Sequence, residues 1–295
     1  VKEAIVNDRR WWLAVLLGLL SVAAAGSRLA AASADERRPL GIDDYFALAD
    51  VGAPTLSPDG TLVVFTVERH DLAKDQSETR LFMVGSNGGE VFPLTGAGSS
   101  ASHPRFSPDG KSLAFLSDRV DPSAEAGAEE ARDQVWLFDL RGGDPRRLTE
   151  VTQGVRSFEW APDGRRLVLV IRDPKPGEKE KEKKDKKRAA DPWVIDRLQF
   201  KQDGRGYLDH RRTHLYVLDL AGGEPRQVTF GDYDDSQPAW SPAGGEIAFV
   251  SNRTEQPDSN YNTDLWLVAV SDEKEAKETG NEPVRLTTNP GSDSS

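Results

Sequence analysis

Residues 54–65 read PTLSPDGTLVVF, with Ser57-Pro58-Asp59-Gly60 at their centre. Residues 103–115 read HPRFSPDGKSLAF, residues 158–169 FEWAPDGRRLVL and residues 238–249 PAWSPAGGEIAF. One chain therefore spells nearly the same four-residue turn at 57–60, 107–110, 161–164 and 241–244. A serine and an aspartate so close together could be catalytic groups, or they could belong to a repeated structural turn. The context decides. Each copy follows an extended stretch ending in Leu56, Phe106, Trp160 or Trp240, and precedes a run of β-branched or apolar residues: LVVFTV, SLAFLS, RLVLVI, EIAFVS. A second apolar run comes next (RLFMV, VWLFDL, LYVLDL, LWLVAV). GGEVFPLT, GGDPRRLT, GGEPRQVT or NEPVRLT then closes each unit on Thr95, Thr149, Thr229 or Thr287.

The turns are spaced 50, 54 and 80 residues apart, the last because the third unit carries an insertion. Apolar residues alternate at a period of two rather than 3.6, which marks strands. Four short strands per unit at this spacing are the pattern of a β-propeller blade. The expected fold is all-β: four propeller blades and the start of a fifth. Proline presets φ at the first central position of the turn, and glycine takes the left-handed conformation that closes a type I turn with a bulge. Only Pro and Gly occur in all four copies, since Ala161 replaces the serine of the third and Ala243 the aspartate of the fourth. A catalytic group is needed once, so the serines and aspartates are read as turn residues. The aromatic residues at the strand ends are read as core between stacked sheets.

Composition narrows the function. The 295 residues contain no cysteine, which removes disulfides and thiolate metal sites, and the formal charge is −11. Residues 1–34 carry Lys2, Arg9, Arg10 and Arg28 against Glu3 and Asp8, a net of +2, so the remainder is near −13. Such a body repels phosphate backbones, and no nucleic-acid partner is expected. NDRR, then WWLAVLLGLLSVAAAG, then Ala32-Ser33-Ala34 reads as a secretory signal peptide over 1–34. An uncleaved anchor is the other reading, with the 17 uncharged positions of 11–27 at the short limit for a bilayer span. Arg9-Arg10 also permits twin-arginine export. No stable span is expected after cleavage, and the expected location is periplasmic or extracellular. Residues 35–52 form a lead-in, and 53–295 an incomplete propeller.

A charged loop is expected at 173–191, where DPKPGEKEKEKKDKKRAAD has nothing to bury. After it, WVIDRLQF, the turn QDGRG and GYLDHRRTHLYVLD predict an ordered hairpin that extends the third blade. The terminal NPGSDSS is similar to the GDYDDSQPAWSPAG lead-in of the preceding unit, cut short. Because propellers need closure to remove exposed strand edges, the chain is expected to be a fragment of a longer protein.

No G-x-S-x-G occurs, so no nucleophile elbow is present. His70 and His103 are isolated. His210 and His214 are four apart on a predicted strand, where they would stand about 13 Å from each other. Asp232, Asp234 and Asp235 of GDYDD could offer carboxylates to a cation, but they lack the full loop pattern, and an inter-blade loop is the expected role. No phosphate loop is visible. Catalytic, cofactor-binding and metal-binding residues are therefore each assigned as none within this chain, and no cofactor is expected.

GIDDYFALADVGAPTLSPDGTLVVFTVER (41–69), DRLQFKQDGRGYLDHRRTHLYVLDL (196–220) and GDYDDSQPAWSPAGGEIAFVSNR (231–253) resemble secreted prolyl oligopeptidase-family serine peptidases, in the acylaminoacyl-peptidase-like branch. The resemblance extends over nearly all of 40–295. It implies a seven-bladed propeller followed by an α/β-hydrolase domain with a Ser-Asp-His triad, which is missing from this chain. It also implies a peptide substrate admitted through the propeller channel. The SPDG turns alone are shared with TolB-type propellers, and a non-catalytic periplasmic propeller that binds a protein partner is the rival reading. A sugar- or metal-binding propeller enzyme is the third, without a ligand cluster to support it. Limited trypsin digestion is expected to cut first between Lys175 and Arg188, and protection there would show that the charged insert is packed.

Overall fold

The computed structural model describes residues 39–120, 132–174, 194–203, 206–270, 282–289 and 291–293. The expected signal peptide, and the charged insert beyond residue 174, lie outside these residues. The chain divides into two units, Val1–Ala47 and Leu48–Ser295. The described part of the first contains one short helix, α1 (Ile42–Ala47), before which the Gly41 N–H donates to the Asp44 carboxylate at 2.8 Å.

Among its described residues the second unit contains four antiparallel four-stranded meanders and one two-stranded sheet. Blade one is β1 (Ala49–Leu56), β2 (Leu62–Asp71), β3 (Gln76–Gly85) and β4 (Phe92–Pro93). Blade two is β5 (Ala101–Phe106), β6 (Ser112–Ser117), β7 (Gln134–Asp139) and β8 (Arg146–Arg147). Blade three is β9 (Ser157–Trp160), β10 (Arg166–Arg172), β13 (Thr213–Asp219) and β14 (Arg226–Gln227). Blade four is β15 (Asp235–Trp240), β16 (Glu246–Ser251), β17 (Asp264–Ala269) and β18 (Val284–Arg285). The first strands are neighbours, β1 beside β5, β5 beside β9 and β9 beside β15, so they stand around a common axis. This is a β-propeller architecture. The first strand starts at Ala49, within the segment read as a lead-in.

Period-two alternation builds the core. Leu113 and Phe115 of β6 face blade one and join Val64, Leu81, Phe106 and Trp136. Ala114 and Leu116 of the same strand face blade three and join Phe158, Leu167, Leu169 and Ile171. The next pair of faces meets through Val168, Val170, Leu215, Ile247 and Phe249. Three apolar clusters thus occupy the three junctions between four blades. Each fully buried Leu, Ile, Val or Phe contributes about 1.5–3 kcal/mol. A cross-blade hydrogen bond contributes about 0.5–1.5 kcal/mol net, so the apolar faces hold the blades together. Polar contacts such as Thr55 Oγ1 to Pro104 O (3.0 Å) and Trp160 Nε1 to Arg105 O (3.2 Å) set the register between them.

Leu56 departs from the expectation for strand-end residues. Phe106 is buried and Trp160 and Trp240 pack against the clusters, but Leu56 is 58% exposed. It lies on the first blade, one face of which has no neighbouring blade among the described residues.

The repeated turns behave as read. Gly60, Gly110, Gly164 and Gly244 have φ of 73°, 69°, 66° and 71°. In the first copy the Gly60 N–H donates to Ser57 O (2.8 Å), and Ser57 N–H to Leu62 O (2.8 Å). Ser57 Oγ donates to Asp59 (2.6 Å) and accepts from Leu62 N–H (2.9 Å). The second copy repeats this with Ser107, Asp109 and Ser112. The turns also stack. A β-carbon placed on Gly110 would lie 3.5 Å from Pro58, one on Gly164 3.7 Å from Pro108, and one on Gly244 3.9 Å from Pro162. Each glycine rests on the proline ring of the preceding blade, which gives those two residues a second reason to recur.

The closing threonines have a shared role. Thr95, Thr149, Thr229 and Thr287 accept the N–H of Leu81, Val135, Leu215 and Leu265 on the third strand, at 2.9–3.0 Å. The residue before each threonine donates its own N–H to the same third-strand residue at 2.8 Å. The hydroxyl extends the outer ladder one step past a two-residue strand.

The hairpin of the third unit differs from expectation. WVIDRLQF forms no strand in its described part, 194–200. Only β11 (Lys201–Gln202) and β12 (Gly206–Tyr207) pair, as a separate two-stranded sheet rather than an extension of the blade. The side chains of this segment are committed to ion pairs instead, Arg197 with Asp258 and Arg211 with Asp209.

Thr149→Val is expected to leave the buried Val135 N–H unpaired. It should lower stability by about 1–3 kcal/mol in urea denaturation, whereas Thr149→Ser should cost less. Equal effects of the two substitutions would refute the capping role.

Candidate functional site: the loop-bearing end

A four-stranded meander sends its turns to opposite ends in alternation. The SPDG turns and the Gly-Gly turns share one end, and the SPDG connections run 57–61, 107–111, 161–165 and 241–245, equal in length in every blade. The connections from second to third strand share the other end. They run 72–75, 118–133, 173–212 and 252–263 and vary widely. The blade-to-blade crossovers emerge at that end too. Variable loops on a fixed scaffold are where binding groups are placed, so this end is the candidate site.

The acidic run GDYDD lies here, and its carboxylates are committed to neighbours. Arg212 Nε meets Asp232 at 2.7 Å and Arg212 Nη1 meets Asp234 at 3.3 Å. Thr213 N–H donates to Asp234 at 2.9 Å. Asp235, fully buried at the start of β15, accepts Arg253 Nη2 on both oxygens at 2.9 and 3.0 Å and lies 3.4 Å from His214 Nδ1. The Arg253 guanidinium also sits 5.0 Å from the Tyr233 ring, 5.3 Å from Phe249 and 5.6 Å from Trp266. The hydrogen bond from Arg212 holds the Asp232 carboxyl below its ordinary range, against the opposing effect of burial. Burial works against the charge of Arg212, yet Asp232 and Asp234 hold its pKa above the ordinary value. The run is an ionic latch from blade three to blade four.

The histidines are dispersed. His70 lies on β2, with Nδ1 2.8 Å from Ser77 Oγ. His210 precedes β13 and meets Asp196 at 2.7 Å. His214 lies on β13 between Asp235 and Asp173, at 3.4 and 3.7 Å. The sequence placed His210 and His214 on one strand. The structure begins that strand at Thr213, because the preceding residues turn to pair with aspartates.

His103 is the least ordinary of the four. It sits in β5 at φ 55°, where the register with β6 shifts between Ser102 and Arg105. Ala53 (φ 48°) and Gln237 (φ 50°) take the same position in β1 and β15, each at a register shift and each before a proline. Proline has no N–H for the ladder, so the bulge removes it from pairing. Left-handed backbone at a non-glycine residue costs about 1–3 kcal/mol. Blade three has Phe158 and no proline at this point, and its register is unbroken. The His103 ring lies 5.6 Å from that of Phe158. Burial, assisted by Arg105, pushes its pKa down to about 4.

Two cavities open at the loop-bearing end. One is lined by Ser100, Asp118, Asp133 and Gln153–Arg156, between blades two and three. Burial and the nearby Asp118 push the Asp133 carboxyl up. The other, of about 250 Å³, lies between the blade-three hairpin and the 252–263 loop, and reaches Ser236 on the first strand of blade four. Its walls include Arg172, Arg197, Arg211 and Arg212. Sequence reasoning missed this group, because 172 and 197–212 are separated by the charged insert and only folding brings them together. The serines and aspartates of the SPDG turns lie at the opposite end.

Comparison with known proteins fits this geometry. Residues 60–159 match the family described as "Acylamino-acid-releasing enzyme, N-terminal domain". "Uncharacterized peptidase YuxL" of Bacillus subtilis is 27% identical over 226 residues, 77% of this chain and 33% of its own length. Dipeptidyl-peptidase 5 of Porphyromonas endodontalis is 26% identical over 70% of this chain and 30% of its own. The acylaminoacyl peptidase of Pyrococcus horikoshii superposes with a TM-score of 0.57 at 22% identity, over 83% of this chain and 33% of that one. The chain thus resembles the N-terminal propeller part of a prolyl oligopeptidase-family peptidase, and spans about a third of the length of the relatives it matches.

A histidine with a folded pKa near 4 and an unfolded value near 6.5 binds fewer protons when folded. The stability this contributes is present above pH 6.5 and is lost as pH falls towards 4. His103→Asn, which suits the left-handed backbone, is expected to flatten the pH dependence of the denaturation midpoint in that window. An unchanged slope would count against the assignment.

Proposed function

We propose that this chain is the substrate-gating propeller of a serine peptidase that hydrolyses peptides or acylated peptides. Its catalytic α/β-hydrolase domain lies beyond Ser295, and the protein is exported behind a signal peptide over 1–34. The observation that carries this reading is the match of residues 60–159 to the N-terminal domain family, on a chain whose described residues form four propeller blades. The same match favours it over a TolB-type binding module.

In this reading the chemistry belongs to the hydrolase domain: serine attack on a peptide carbonyl, histidine as base and an oxyanion hole. The propeller contributes selection. Its first strands stand around the axis, stiffened across blades two and three by Arg105–Glu159 (2.9 Å) and by the Trp160 bond to Arg105. In the complete ring, the opening that these strands surround is proposed to admit an extended peptide and exclude a folded domain. The loop-bearing end is the one that faces the hydrolase.

The gene sequence past the codon for Ser295 tests this directly. Further SPDG-type blades, then a G-x-S-x-G and a distal histidine, are expected. A stop codon, or ring closure without a hydrolase domain, would make the protein a binding module. The purified chain alone should not label with a fluorophosphonate probe, and stoichiometric labelling would place a nucleophile within it.

A further inference from the structure

We propose that the cavity between the blade-three hairpin and the 252–263 loop binds a carboxylate group of a peptide, and that Arg211 and Arg212 are the residues that hold it. This adds a ligand chemistry to the gating reading without resting on it, since binding needs no hydrolase domain.

The gathering of arginines is the first observation. Four line this cavity, with Asp209, Asp234 and Asp258 in the wall and Asp232 on Arg212 as their carboxylate partners. Arginine forks held in place by carboxylates present their remaining N–H groups in a fixed geometry.

The hydrogen-bond inventory is the second. Arg197 is fully engaged, with Nε and Nη2 on Asp258 and Nη1 on Asp209 O at 2.6 Å. Asp209 accepts Arg172 Nη2 at 2.6 Å and Arg211 Nε at 2.7 Å, and so fixes both guanidiniums. Arg212 spends Nε on Asp232 and Nη1 on Asp234. Among the described residues, both terminal nitrogens of Arg211 and Nη2 of Arg212 have no partner. Their side chains are 22% and 8% exposed, and the unpaired nitrogens stay open to the cavity. An ionised oxygen acceptor is the partner that suits such cationic donors best.

Size and charge select the ligand. A cavity of about 250 Å³ falls below the usual range for a whole small molecule. It suits one chain end or one acidic side chain. Asp209 and Asp234 already stand in the wall, so a dianionic phosphate meets more repulsion than a monoanionic carboxylate. Gln199, Ser236 and the rim residue Tyr261 offer hydrogen bonds to the flanking peptide.

Calorimetric titration of the purified chain tests this with four probes: acetyl-Ala-Ala with a free carboxylate, the same peptide amidated, acetyl-Asp-Ala-amide, and inorganic phosphate. At least one carboxylate peptide is expected to bind with a Kd below about 10 mM, the weak end of recognition, and more tightly than phosphate. The amidated dialanine is expected not to bind. The two carboxylate peptides distinguish a chain end from an acidic side chain. Arg211→Gln should weaken binding by about tenfold or more, and Arg211→Lys by less. Arg165→Gln, at the opposite end, should leave binding unchanged. Raising the ionic strength should weaken binding. Equal binding of the free and amidated dialanines, no carboxylate binding at all, or tighter binding of phosphate would overturn the proposal. So would unchanged affinity in a folded Arg211→Gln protein. If that variant does not fold, unchanged affinity in Arg211→Lys overturns it equally.

Discussion

Everything in this structure depends on sheets packed face to face. A strand in a middle blade must be apolar on both faces, because its odd and even residues meet different neighbours. β10 shows the constraint: Leu167, Leu169 and Ile171 serve one junction and Val168 and Val170 the other. A single strand therefore couples two interfaces, and each added blade buries a surface that the previous one exposed. Across the described blades stability accrues at junctions. The first and fourth blades keep exposed apolar residues such as Leu56, Val284 and Leu286.

Polar groups do other work within this frame. The SPDG turns stack glycine on proline along one end, and their serines and aspartates satisfy backbone donors locally. The closing threonines finish the outer ladder. At the other end, the aspartates of GDYDD tie to Arg212 and Arg253 and join the third blade to the fourth. A buried arginine–aspartate pair gains little over a well-packed apolar contact, and removing one partner is costly. Asp235 and Arg253 are such a pair.

The division between the two ends follows from the meander. The SPDG connections are short and equal in length, so they stack along one end. Long connections cannot, so the opposite end is free to vary, and it carries the hairpin, the arginine cavity and the latch. The proposed selectivity of the protein thus sits on loops, held in place by a core with no part in it. The left-handed residues Ala53, His103 and Gln237 mark where first strands bend around prolines, and they are the described strain nearest the axis.

The fold was legible because it repeats. Four copies of one turn, with alternating runs between them, state the period, the strand type and the blade boundaries. Local sterics of Pro and Gly are enough to close the turns, and the reading of their serines and aspartates as structural rested on the same repetition. What did not repeat was harder to read. WVIDRLQF alternates like a strand, but Arg197 and Asp196 pair with partners on distant segments, and those long-range bonds outweigh the local pattern. The pairing of Asp232, Asp234 and Asp235 with arginines could not be seen from their spacing alone. The arginine cavity could not be seen at all, since it draws on residues from 172 to 263. By itself the sequence determined the repeat, the turns and the two-faced strands, because those are set by neighbours along the chain. Tertiary structure decided which charges meet, because ion pairs form between groups that only the packing of whole blades brings within reach.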